Sequence, residues 1–180
     1  MFAACGMAMV LGAPVTSFAQ LTGTLDAQLT LTTACGLVGS SGTSNLDFGV
    51  LDFGTQPATF SGVLSTQASG LSGVTQIVCS ADVTEVTIKI DGGSNPGQGA
   101  GVGDGTRALD DGGGSYVPYE VYSTAGTASP YPVGGAGRTV TITTPGQPFA
   151  LPIFGRINKT SPNALAAGTY DDTLQVTIEF

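Results

Sequence analysis

At both ends of this chain, apolar and polar side chains alternate without a break, a pattern that admits little besides β-structure. From Leu21 to Thr32 every odd position is apolar or small (Leu21, Gly23, Leu25, Ala27, Leu29, Leu31) and every even one is polar. From Thr173 to Phe180, Leu174, Val176, Ile178 and Phe180 alternate just as strictly with Thr173, Gln175, Thr177 and Glu179. A two-residue period is that of a strand with one face buried. Between the ends the alternation recurs in short runs separated by Gly, Pro, Asn and Asp, and no long stretch shows helical spacing. Strands are expected near Leu21–Thr32, Leu46–Gly54, Val63–Leu71, Thr75–Ser80, Val83–Asp91, Val117–Ser123, Thr139–Thr143, Phe149–Ile157 and Thr173–Phe180. That number fits one β-sandwich domain. The glycine-rich run from Gly92 to Gly105 reads as a long flexible loop, too poor in side chains to pack a core.

Charge and residue inventory exclude much chemistry. Thirteen acidic against five basic residues leave a net charge of -8, which opposes nucleic acid and anionic membrane surfaces as partners. The absence of histidine removes the Ser-His-Asp triad, the Cys-His pair and histidine metal sites. No enzymatic role and no cofactor are expected. Residues 1–19 carry no charge, have an apolar middle from Phe2 to Leu11 and end in small residues at Ser17 and Ala19, so a signal peptide is expected there, and with it export. Cys5 goes with that segment, leaving Cys35 and Cys79. An even pair in an oxidising compartment reads as a disulfide, the alternative being two buried free thiols.

Other motifs have plain structural readings. LDFG occurs twice, at Leu46–Gly49 and Leu51–Gly54. A regular strand would send Phe48 and Phe53 to opposite faces, so a turn or bulge is expected between them. The acid pairs Asp110-Asp111 and Asp171-Asp172 read as turn residues rather than as a glycosidase pair. Tyr116, Tyr119 and Tyr122 could together form an aromatic ledge for sugars or plastic-like surfaces, but at least one is expected to fill the core with its hydroxyl at the rim.

The blocks LTGTLDAQLTLTTAC (Leu21–Cys35), LDFG (Leu51–Gly54), IVCS (Ile77–Ser80), IKIDGG (Ile88–Gly93), VPYEVY (Val117–Tyr122), LPIFGRI (Leu151–Ile157) and GTYDDTLQVTIEF (Gly168–Phe180) resemble, in order, the spore coat protein U domain family. Within it they are similar to the subunits of archaic chaperone–usher (Csu-type) pili, most of all to the major shaft subunit. The resemblance implies an all-β fold, an incomplete immunoglobulin-like β-sandwich completed by a donor strand from a neighbouring subunit. It divides the chain into a signal peptide at 1–19, an N-terminal donor extension at 20–34 and a pilin domain at 35–180. The donor side chains would be Leu21, Gly23, Leu25, Ala27, Leu29 and Leu31. The acceptor groove would be bordered by Leu174, Val176, Ile178 and Phe180. The implied partners are further copies of the chain in a homopolymer, a periplasmic chaperone, an outer-membrane usher and other pilus subunits. The place of action would be a cell-surface pilus reached through the periplasm, serving attachment and biofilm formation.

Pattern alone leaves a plainer alternative, in which Leu21–Thr32 is the first strand of the chain's own sandwich. The protein would then be a single-domain secreted adhesin, or a coat or envelope protein, that does not polymerise.

Overall fold

A computed structural model describes residues 19–70 and 72–180. The expected signal peptide therefore lies, but for Ala19, outside the described residues, as does Leu71 at the end of one expected strand. The chain divides into two units, Met1–Leu31 and Thr32–Phe180. In the first, residues 19–31 have no regular secondary structure and are exposed. The strand expected at Leu21–Thr32 is thus absent: a lone alternating segment has no ladder to hold it extended.

The second unit is built of strands joined by turns, with no helix among the described residues. In chain order they are β1 (Cys35–Leu37), β2 (Gly62–Gln67), β3 (Ser69–Gly70), β4 (Gly73–Val74), β5 (Gln76–Cys79), β6 (Glu85–Ile90), β7 (Gly103–Asp104), β8 (Arg107–Asp110), β9 (Tyr116–Tyr122), β10 (Arg138–Thr141), β11 (Phe149–Ala150), β12 (Phe154–Lys159) and β13 (Val176–Glu179). Every pairing between them is antiparallel. The sheets run β1-β5-β11, β10-β6-β13 and β2-β12-β9-β8, with β7 also on β12, beside the short β3-β4 ladder. Their inward side chains meet in one core, among them Ile77, Val86, Ile88, Ile90, Val117, Tyr119, Val121 and Ile157. This is the layered arrangement of an all-β sandwich. The alternation read from the sequence is visible in β6, where Val86, Ile88 and Ile90 are buried and their neighbours are not.

Strands β1 and β8 escaped the sequence reading, because CGL and RALD show no alternation of apolar and polar side chains. The segment Leu46–Gly54 is not a strand; only Val50 bridges to Ser69. Each LDFG copy closes a turn, with the Gly49 amide donating to Asp47 Oδ1 (2.8 Å) and the Gly54 amide to Asp52 Oδ1 (2.7 Å). Gly49 stands at φ 89° with Ser69 so near that a Cβ would lie 2.4 Å from its carbonyl oxygen, so only glycine fits. The run from Gly92 to Gly105 also differs from the expected loop. It turns through Gly92–Val102, then pairs Gly103 and Asp104 with β12. A Cβ at Gly103 would meet the Asn158 carbonyl and one at Gly105 the Tyr119 backbone. Glycine is used here for close approach of backbones.

The Cys35–Cys79 disulfide is present and joins β1 to β5, where the two residues face each other in register. Closing a separation of 44 residues contributes about 4 kcal/mol by loop-entropy arithmetic.

Candidate functional site

Two sheet edges flank an open groove. Among the described residues β1 pairs only with β5 and β13 only with β6, so each presents a free edge. Both border one cavity of about 810 Å³, lined by Cys35–Leu37, by Thr43–Leu51 and Phe53, by Tyr170–Ile178 and by Phe180. Core side chains form its floor, among them Ala68, Ile77, Ile90, Tyr119 and Ile153. Leu37, Phe48, Leu51, Phe53, Leu174, Val176 and Ile178 are only half-buried although they pack against that core. Phe180 is 59% exposed. A sandwich core is thus left uncovered along one strip, between two rows of unpaired main-chain groups.

The groove is held open by particular contacts. Leu51 and Phe53 press on Gly155 of β12, where a Cβ would come within 2.9 Å of the Phe53 ring. The Phe53 ring also meets Tyr119 edge-on at 6.0 Å between centroids. Tyr119 is the core tyrosine expected from the sequence: it is 2% exposed and its hydroxyl donates to Asp172 Oδ2 at 2.8 Å. Burial first, then that hydrogen bond, pushes the Tyr119 hydroxyl well above the usual tyrosine range. Asp172 Oδ1 accepts from the Ser94 and Thr173 amides, both at 2.8 Å. The acid fixes the approach to β13 against the β6–β7 connection.

A buried cation braces the same end. Arg107 is fully buried; its Nε donates to the Asp91 carbonyl (2.7 Å), its second terminal nitrogen to those of Ile90 and Tyr131, and its first pairs with Glu120. Desolvation lowers the guanidinium pKa and Glu120 opposes this. Asp91 in turn donates its amide to the Gln175 carbonyl (3.1 Å) and accepts the Gln175 amide on Oδ1 (2.9 Å). Arg107 therefore acts on β13 through Asp91.

Of the residues singled out in the sequence, Leu174, Val176, Ile178 and Phe180 all line the groove. Leu21, Leu25, Leu29 and Leu31 are 80% to 100% exposed, with Gly23 and Ala27 exposed between them. The sequence reading missed Thr43–Leu51 as a groove wall; its signal was the repeated LDFG, which puts Phe48 and Phe53 on one cavity through the turn at Gly49. The Asp110-Asp111 pair is spent on turns, whereas Asp172 of the second pair holds the Tyr119 hydroxyl. Asp110 Oδ1 accepts from Gly112, Asp111 Oδ1 from Gly113 and Ser115, while Asp110 and Asp171 form an isolated backbone bridge.

The family follows from comparison. The family model described as Spore Coat Protein U domain matches residues 21–177, and the chain belongs to that family. A search of curated proteins found no match. Among solved structures the chain is similar to a complex of the chaperone CsuC with the tip adhesion subunit CsuE, from archaic chaperone–usher Csu pili of Acinetobacter baumannii. That match has 21% identity and a TM-score of 0.47, over 84% of this chain and 40% of that one. It is also similar to a chaperone–tip adhesin complex of CFA/I fimbriae, at 13% identity and a TM-score of 0.35, over 82% and 42%. The chain spans less than half the length of either.

Proposed function

We propose that this protein is a structural subunit of a surface fibre of the chaperone–usher type, which polymerises by lending residues 21–31 to the groove of the next copy. The observation that carries this is the groove itself: an apolar strip of core open between the free edges of β1 and β13. An extended segment laid there gains main-chain hydrogen bonds from the edges and buries alternate side chains in the floor. Residues 21–31 have that form, with six apolar or small side chains on one face. Burying the four leucines at about 1.5–3 kcal/mol each contributes on the order of 10 kcal/mol before ordering costs. Donor and acceptor are different surfaces, so the contact is heterologous and extends into a filament instead of closing.

A groove of this kind invites uncontrolled association. It therefore calls for a periplasmic chaperone that fills it before assembly, and for an outer-membrane usher where the chaperone gives way to the next donor. Attachment and biofilm formation are the roles such a fibre serves.

The test is expression in a bacterial periplasm with a cognate chaperone, with and without residues 20–32. Heat-sensitive ladders on unheated gels and thin filaments from the full chain, with only chaperone-bound monomer from the deletion, are expected. A folded monomer from the full chain and an unfolded deletion product would assign the segment to the chain's own sandwich and defeat the proposal.

A further inference from the structure

The outer face of the β2-β12-β9 sheet carries a second depression, of about 250 Å³, none of whose lining residues borders the groove. Register places Ser65, Arg156 and Glu120 in one row across the three strands, and Gln67, Phe154 and Tyr122 in the next. Phe154, Arg156 and Tyr122 stand on the face opposite Ile157, Val121 and Tyr119, which are buried in the core, whereas the Glu120 carboxylate is drawn to buried Arg107. Ala125 and Gly126 close one end.

What distinguishes this depression is its cation. Of the five basic residues, Lys89 pairs with Glu179, Arg107 with Glu120, and Arg138 donates to the Pro130 carbonyl. Lys159 is buried onto the carbonyls of Ser161 and Asn163. The Arg156 side chain alone makes no hydrogen bond or ion pair among the described residues. Its row neighbour Glu120 is already committed, accepting from Arg107, Thr106 and the Val121 amide. A planar fork of donors thus stands unused beside two aromatic rings, an amide and a hydroxyl, on a chain of net charge -8.

We infer that this depression binds a saccharide unit bearing a carboxylate, with Arg156 on the carboxylate, Tyr122 and Phe154 against the ring, and Gln67 and Ser65 on its hydroxyls. A guanidinium takes a carboxylate in two parallel hydrogen bonds, and aromatic faces accept the apolar side of a sugar. The volume suits one ring and is small for a protein segment, whose stable docking needs an interface of roughly 1,000 Å² or more. A site this shallow is weak on its own. Subunits polymerised as proposed above would repeat it along the fibre, and avidity would follow. Binding by a single chain does not depend on that assembly.

The test is saturation-transfer NMR of the disulfide-bonded full chain with D-glucuronate and D-glucose as probes, for wild type, Arg156→Gln, Arg156→Lys and Tyr122→Ser. Wild type is expected to prefer glucuronate by about tenfold or more, the worth of a charge-assisted hydrogen bond. Arg156→Gln should lose the preference, Arg156→Lys should keep part of it, and Tyr122→Ser should weaken both sugars. An unchanged melting temperature for Arg156→Gln shows that the fold is intact. Equal binding of the two sugars, no transfer from either, or a preference that survives Arg156→Gln would overturn the inference. So would a change in sedimentation with Arg156→Gln and no effect on sugar, which would make the depression a contact between copies.

Discussion

Tyr119 shows how much one side chain does here. Its ring supports Phe53 under the groove and its hydroxyl ties Asp172 to the turn before β13. Replacing it by Phe keeps the ring and removes the bond to a carboxylate, so a loss of about 1.5–3 kcal/mol is expected by chemical denaturation at pH 7. The pH dependence has a definite sign. The folded hydroxyl ionises at higher pH than the unfolded one, so its contribution is complete below about pH 10 and falls as pH rises beyond it. The melting temperature should therefore drop steeply in alkali for wild type and less steeply for Tyr119→Phe. Tyr131, also buried and shifted upward, leaves a residual slope. That one of three clustered tyrosines would be internal was legible from the sequence. Its partner was not, since Asp172 lies 53 residues away.

At the level of elements, legibility followed alternation. The alternating runs became β6 and β13, and β9 also fell close to its expected position, whereas β1 and β8, with the sequences CGL and RALD, carry no alternation to read. Leu46–Gly54 misled for another reason: its apolar residues are spaced by turns and not by a pleat, and Asp47 and Asp52 satisfy backbone amides that a strand would offer to a neighbour. Because Gly49 meets Ser69 main chain to main chain, Gly49→Ala should destabilise by about 2–4 kcal/mol. The loss should be larger than for Gly54→Ala, where open space awaits a Cβ despite φ 72°. Paired urea titrations of the two variants check this ordering. The borders of the groove were half legible: β13 was marked by its alternation, while the opposite wall required knowing that the LDFG repeat folds back toward it.

The whole second unit rests on one core and one covalent link. Cys35→Ser with Cys79→Ser should lower stability by about 4 kcal/mol, read as a lower denaturation midpoint with a somewhat steeper slope, because the unfolded chain freed of the link exposes more surface. Residues 19–34 are different in kind. Their alternation was plain in the sequence, yet nothing in an alternating pattern says which sheet it joins, and no sheet among the described residues includes them. A strand that complements another copy and a strand that completes its own domain are written in the same letters.

The position of the disulfide has a mechanical consequence. In a fibre assembled as proposed, tension enters each subunit through the segment just before Cys35. It does not have to peel β1 from its neighbour, because Cys35 is bonded across the ladder to Cys79 at the end of β5, the middle strand of its sheet. The load passes through sulfur into the interior of the sheet, and hydrogen bonds along β1 are spared as the point of first failure. Under reducing conditions the same pull would act on a three-residue strand alone, and such a fibre should part at lower force.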